Sequence, residues 1–199
     1  MPHFVTRHGE PLVGNVSLET LIAATPTTSR TKGIFFSDLV KMLPPRRWEE
    51  IVLTLDVVPR LDRYVPFTAY PVRDLLRLVD AAARERFAAV PTREGYRRLG
   101  HFGFKAFCDT TVGRVIMAVL GDPMAAAKKY PEAYAMMTNA AAVTSEECGP
   151  RHARLTFARY VGACEYDVGV CEAAVAHFGS ASTIGVDHGP DAMVLDVRW

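Results

Sequence analysis

The sequence predicts an α+β fold, with a helical N-terminal and middle region packed on a C-terminal antiparallel sheet. Three observations carry this. Residues 34–138 hold apolar side chains at spacings of three and four, punctuated by proline and glycine. From Asn139 onward the period changes to two around Gly149-Pro150 and around His188-Gly189-Pro190-Asp191. Within that second region a single helical spacing, Val168, Cys171, Val175 and Phe178, is closed by Gly179. The C-terminal order is therefore strand, strand, helix, strand, strand.

The helices follow in order. Ile34 to Leu43 suits a short buried helix that stops at Pro44-Pro45, and a second starts there and runs through Trp48, Ile51, Val52 and Leu55. Asp56 to Pro71 reads as irregular, with three prolines. Pro71 to Phe87 is the clearest helix, because Val72, Leu75, Leu76, Val79 and Ala83 form one stripe. The pairs Asp74–Arg77 and Asp80–Arg84 are expected on its wet side. Thr92 to Cys108 forms the next helix, although Gly100 and Gly103 each weaken it by about 1 kcal/mol relative to alanine. Such a cost is commonly offset where a backbone or ligand comes close. Asp109, Thr110 or Thr111 caps Val112 to Leu120, which ends at Gly121. Asp122-Pro123 restarts helix at once, and that helix is bent or interrupted at Pro131 before ending near Thr138.

Four strands are predicted in the C-terminal part. Ala141 to Cys148 and Arg151 to Tyr160 form a hairpin, with Ala153, Leu155 and Phe157 on one face. Thr183 to Asp187 and Ala192 to Trp199 form another, with Met193, Leu195, Val197 and Trp199 on one face. Residues 1–199 read as a single domain, divided into an N-terminal segment and polar loop (1–32), a mainly helical part (33–138) and the sheet with one helix (139–199). The change at Asn139 is a seam within one fold, since so small a sheet needs the helices to cover it. The N-terminal 30 residues are compatible with strand, helix or arm, and within them Ser17 to Ala24 with strand or helix.

Composition bounds the function. With 49% apolar and 23% charged residues and a net charge of +1, the chain has material for a core and lacks the basic excess of a nucleic-acid binder. No apolar run is long enough to cross a bilayer, and the N-terminus lacks a secretory pattern, so the expected location is the cytoplasm. The four cysteines then read as reduced thiols, without a Cys-x-x-Cys pair.

Catalytic motifs are missing: there is no Gly-x-Ser-x-Gly elbow, phosphate-binding glycine loop or His-Glu-x-x-His pair. An enzyme therefore ranks below a binding domain. His101 lies between Gly100 and Phe102 and shares a helical face with Cys108, as a pocket or metal ligand would; the plain alternative is a half-buried histidine bonded to a backbone carbonyl. Tyr160, Tyr166, Phe157 and Phe178 suit either a pocket wall or plain core. Cys164 and Cys171 with His152 or His177 would suit zinc, but the tight knuckle spacing of structural sites is absent. Arg46-Arg47-Trp48 and Arg97-Arg98 read as solvated helix faces or as contacts for phosphate or an acidic partner.

Tyr70-Pro71, Arg97-Arg98-Leu99-Gly100, Thr110-Thr111-Val112-Gly113-Arg114, Leu120-Gly121-Asp122-Pro123 and Val197-Arg198-Trp199 carry a resemblance. From about Gly33 onward the chain resembles a paralogous family of uncharacterised myxobacterial proteins. Its C-terminal pattern is also similar to the 4-vinyl reductase and haem-NO-binding type of α+β domain. That resemblance implies a pocket between helices and sheet, a sensing role, dimer formation, and haem as a candidate cofactor. A helix-borne histidine holds the iron in that group, which would fall to His101, but no other local motif here matches its haem contacts.

These readings converge on a small-molecule-sensing or regulatory domain that binds an apolar ligand between the helices and the C-terminal sheet. The expected ligand-binding residues are His101, Phe104, Cys108, Tyr160, Cys164 and Tyr166, with no catalytic or metal-binding residue assigned. The alternative is an interaction or scaffold module that forms a homodimer without a ligand.

Overall fold

A computed structural model describes residues 3–7, 10–60 and 63–199. Residues 1–2, 8–9 and 61–62, parts of the N-terminal segment and of the irregular 56–71 stretch, lie outside the described residues. The helices are α1 (Leu18–Ala24), α2 (Ile34–Lys41), α3 (Pro45–Val52), α4 (Val72–Arg86), α5 (Thr92–Asp109), α6 (Thr111–Leu120), α7 (Pro123–Met137) and α8 (Cys164–His177). The strands are β1 (His3–Arg7), β2 (Arg30–Lys32), β3 (Ala69–Pro71), β4 (Ala142–Gly149), β5 (His152–Ala158), β6 (Thr183–His188) and β7 (Ala192–Arg198). The α+β class and the C-terminal order β4-β5-α8-β6-β7 are as the sequence predicts.

Capping chemistry fixes the helix ends. The Thr110 hydroxyl accepts from Gly113 N–H to start α6, and Asp122 accepts from Ala125 N–H to start α7, with Pro123 at its first position. Gly121 ends α6 with φ 73°, which a side chain would resist. Pro131 stands inside α7 without ending it.

The main sheet is antiparallel in the order β1-β6-β7-β5-β4. β7 lies between β5 and β6, which therefore run parallel, joined by α8 as the crossover. The period-two patterns bury one face: Ala153, Leu155 and Phe157 of β5 and Met193, Leu195 and Val197 of β7 are all buried. Two features correct the expected confinement of the sheet to 139–199. β1, in the segment compatible with strand, helix or arm, pairs with β6 and supplies the fifth strand. Arg30 to Lys32, read as polar loop, pairs with Ala69 to Pro71, read as irregular. Strands of three residues carry too little periodicity to be read from sequence.

This small ribbon is tied to the Asn139 seam. Asn139 N–H and the Thr138 hydroxyl donate to Arg30 O at 3.0 and 2.9 Å, and Arg30 N–H donates to the Asn139 side chain at 2.6 Å. The helical core centres on Phe36, Leu78, Tyr96 and Leu99, and the sheet core on Phe157, Val168, Ile184 and Leu195. They meet where α5 crosses α8. A Cβ on Gly100 would stand 2.1 Å from Tyr166 O, and one on Gly169 would stand 1.9 Å from Arg97 O. The close approach expected at Gly100 is thus to another helix backbone.

Two charged groups expected in water are buried. Asp74 has 0% exposure and accepts from Asp56 N–H, Val57 N–H and Arg77, anchoring the loop after α3. Asp80 accepts from the Tyr96 hydroxyl and from Arg84. Their i,i+3 and i,i+4 spacings hide inside-facing carboxylates because the same spacings describe a wet stripe.

Candidate functional site

α4, α5, α6, α7 and α8 surround a cavity of about 250 Å³, together with Thr31, Phe35 and the loop from β5 to α8. Its wall is mostly aliphatic and aromatic: Leu75, Phe104, Phe107, Met117, Ala133 and Val170 represent five helices. Met137, Thr138 and Ala140 carry it across the Asn139 seam. No residue of the main sheet lines it, so the cavity lies among helices beside the sheet. The expected position between helices and sheet is corrected in this respect. Phe157 of β5 backs the wall from the core, packed edge-on to Tyr130, Tyr134 and Tyr160 at 5.9, 5.5 and 5.6 Å.

Polar groups converge at one end. Asp167 on α8 lines the cavity and accepts a short hydrogen bond from the Tyr160 hydroxyl and a long one, 3.5 Å, from the Tyr130 hydroxyl. Burial raises its pKa to about 6, although the two tyrosine hydroxyls favour the ionised form. Asp167 forms no ion pair among the described residues. Lys129, the cation on the cavity wall, is engaged by Glu132 at 3.1 Å. The Tyr134 hydroxyl has no hydrogen-bond partner among the described residues, and it lies near enough for the Asp167 charge to add to the burial that raises its pKa. Burial, reinforced by Asp167, also pushes Tyr130 and Tyr160 well above the ordinary value.

Of the expected ligand-binding residues, Phe104, Tyr160 and Tyr166 line the cavity. His101, Cys108 and Cys164 are not among its lining residues. His101 Nε2 lies 2.9 Å from Glu172, a fully buried carboxylate that also accepts from Arg97 Nε at 2.6 Å and the Thr6 hydroxyl at 2.9 Å. Burial alone would raise the Glu172 pKa, but the bonds from His101, Arg97 and Thr6 and the Arg97 charge outweigh it and hold it low. His101 is thus bonded to a carboxylate rather than to the backbone carbonyl of the plain alternative. Arg97, read as a surface residue, is buried and also donates to Glu94 and to the Glu10 carbonyl. Cys164 is buried in the sheet core, and burial raises its thiol pKa above the titrating range. Phe178 stacks edge-on with His177 and stands outside the cavity wall. Among the described residues, no three His, Cys, Asp or Glu side chains are grouped to hold a metal.

Asp167, Tyr130 and Tyr134 were not singled out by sequence. A signal existed: Asp167 stands three residues after Cys164 and four before Cys171, on the apolar face of α8, and Tyr130 and Tyr134 are one turn apart on α7.

The architecture is that of H-NOX proteins. An unliganded Fe(II) H-NOX mutant from K. algicida superimposes with a TM-score of 0.65 at 14% identity, covering 84% of this chain and 95% of the other. An Fe(II) H-NOX mutant from S. oneidensis gives 0.64 at 19% identity, covering 84% and 95%. A third structure, solved in work on haem redox potential and porphyrin distortion, gives 0.62 at 11% identity, covering 84% and 99%. By sequence, the chain belongs to the protein family of unknown function DUF2378, which matches residues 25–199. No curated protein matches it by sequence.

The residues present do not fit haem held as these proteins' fold would suggest. Among the described residues the cavity wall has no histidine or cysteine, and His101 is committed to Glu172. A tyrosine ligand would have to ionise, yet the cavity tyrosines have raised pKa values and two already donate to Asp167.

Proposed function

We propose that this chain is a cytoplasmic small-molecule-sensing domain, with residues 1–199 as one domain, that takes an apolar ligand into the cavity bounded by α4 to α8. The observation that carries the reading is the cavity itself. Protein interiors close-pack, and an apolar void of this size is costly unless it is used. An apolar cavity of ~150 Å³ is already enough to take benzene. The wall also supplies a means of response. α6 packs on α5 and α7 with Met117 buried, while Val115 and Val119 are 60% and 81% exposed. A ligand against Ile116, Met117 and Leu120 would shift the resting position of α6, and with it an apolar outer surface available to a partner.

Purified protein should release a small organic molecule on denaturing extraction, detected by mass spectrometry, or show a raised Tm with members of an apolar ligand panel. Clean protein with no thermal shift across the panel would overturn the proposal. An absorption spectrum of the same sample checks the haem argument: no Soret band is expected, before or after incubation with haemin.

The exposed apolar residues of α6 favour a second reading, a homodimer or interaction module that needs no ligand. Light scattering on Val115→Ser/Val119→Ser protein separates the two. Loss of a dimer with ligand binding intact supports interaction through α6 in addition to sensing. A wild-type monomer removes the homodimer reading.

A further inference from the structure

The polar end of the cavity specifies what kind of molecule fits, and this step rests on the sensing proposal above. We infer that the ligand is a small apolar amine, an aromatic or aliphatic body ending in a primary ammonium that is held by Asp167 within the tyrosine cluster of α7 and the β5–α8 loop.

Three observations lead there. First, Asp167 is the one acidic side chain on the cavity wall, and it has no basic partner among the described residues. A half-buried carboxylate left without a counter-charge is costly, and an arriving cation relieves that cost. Elsewhere in the protein the buried carboxylates are satisfied. Glu172 has Arg97, Glu165 has Arg93 at 2.7 Å, and Glu94 has Arg97 and Arg98. Asp167 alone of these faces a cavity.

Second, the acceptors match an ammonium in number. An ammonium brings three N–H donors and no acceptor. Asp167 has acceptor capacity left after its two tyrosine bonds. The Tyr134 oxygen accepts from nothing among the described residues, and the Tyr160 and Tyr130 oxygens still accept after donating to Asp167. A carboxylate ligand would meet repulsion, and a hydrocarbon would leave these groups unmet.

Third, rings surround the position. Tyr130 and Tyr134 pack at 5.9 Å, and Tyr160, like both of them, packs edge-on against Phe157. Aromatic faces attract a cation, more strongly where water is excluded. The rest of the wall is aliphatic and phenyl-like, which sets the other end of the molecule as apolar. The nearby titrating groups do not compete: Glu165 is paired, Cys164 and Cys171 stay thiols, and His188, packed edge-on against Tyr160, has a pKa lowered by burial.

The test uses three isosteres, phenethylamine, phenethyl alcohol and propylbenzene, titrated calorimetrically into the full chain at pH 7.5. The amine should bind at least about ten-fold tighter than either isostere, because a hydrogen bond to a charged group contributes ~1.5–3 kcal/mol. Asp167→Asn should bring amine and alcohol to within a few-fold of each other while leaving propylbenzene unchanged. Tyr134→Leu, which removes no intramolecular hydrogen bond, should weaken the amine several-fold and spare propylbenzene, so the inference stays testable if the Asp167 variant folds poorly. Amine affinity should also fall as pH drops through about 6, where Asp167 takes up a proton. Equal binding of all three probes would overturn the amine inference and leave the sensing proposal standing. Failure of all three to bind would overturn both.

Discussion

Glu172 and Asp167 stand on the same helix, about a turn and a half apart, and their surroundings are opposite. Glu172 is fully buried and held by Arg97, His101 and Thr6, so it stays ionised and binds α5, α8 and β1 together. Among the described residues Asp167 is held only by tyrosine hydroxyls; it faces a cavity, and burial pushes it towards protonation. The first carboxylate is used up by the fold. The second is left with unspent acceptor capacity where a small molecule can reach it. That contrast, more than the residue types, separates a structural polar group from a candidate site. It also removes His101 from the site: its chemistry is consumed on the Glu172 side of α8.

The largest effect should come from breaking the Glu172 node. Glu172→Ala leaves the buried Arg97 guanidinium without its main partner and frees Thr6 of the edge strand. Removal of one member of a buried pair typically costs ~3–5 kcal/mol. Urea unfolding should show a loss of that order, and hydrogen exchange should show β1 losing protection first. A loss below about 1 kcal/mol would mean that Glu172 is not a structural node.

Next is the crossing that presents both carboxylates. Gly100→Ala drives a Cβ against the Tyr166 carbonyl, so α5 and α8 must separate. Overpacking of this kind costs ~1–3 kcal/mol, and Tm should drop accordingly. Gly103→Ala is the comparison: its Cβ meets the Tyr166 hydroxyl, the end of a side chain that lines the cavity and can rotate. It should cost less and should weaken ligand binding more.

The fold was largely legible because its elements carry strong periods and strong stops. Thr110, Asp122-Pro123 and Gly121 place the ends of α6 and α7, and the alternation through Phe157 and Leu195 places the sheet face. β1 was not legible, since five residues before an irregular stretch carry no distinctive period, and its pairing with β6 joins the two ends of the chain. Part of the candidate cavity's aromatic lining was legible, through Phe104, Tyr160 and Tyr166. Its polar part was missed because an acid on a helix is ordinarily read as facing water. Asp74, Asp80, Asp167 and Glu172 all break that habit. Their partners, such as Tyr160 for Asp167 and Thr6 for Glu172, come from other elements that only the folded chain brings near.

The two carboxylates should also be separable by pH, with opposite signs. Asp167 has a folded pKa above its ordinary 3.8, so its native state holds a proton that the unfolded state gives up. Its favourable contribution is complete below that ordinary value and is lost as pH rises through about 6. Wild type should therefore gain on the order of 2–3 kcal/mol relative to Asp167→Asn between pH 7.5 and 4. Glu172 has a lowered folded pKa, so its contribution is present above the ordinary 4.5 and is lost as pH falls through the lowered value. Glu172→Gln should flatten only that acid limb. Chemical denaturation of both variants across pH 3–8 would read the two slopes, and slopes of the same sign would refute the contrast between them.

The smallest effect tests whether the cavity is spare room. Ala174 lies on α8 and lines the cavity. Ala174→Leu places extra methyl groups into empty apolar space, where filling commonly changes stability by ~+0.5 to +2 kcal/mol. The variant should melt at or slightly above the wild-type Tm and should bind propylbenzene and phenethylamine alike more weakly. The Glu172 network should be untouched, with the pH slope below 4.5 unchanged from wild type. A marked loss of stability would mean that the space is already filled by side-chain motion, and that Asp167 meets its neighbours rather than a visitor.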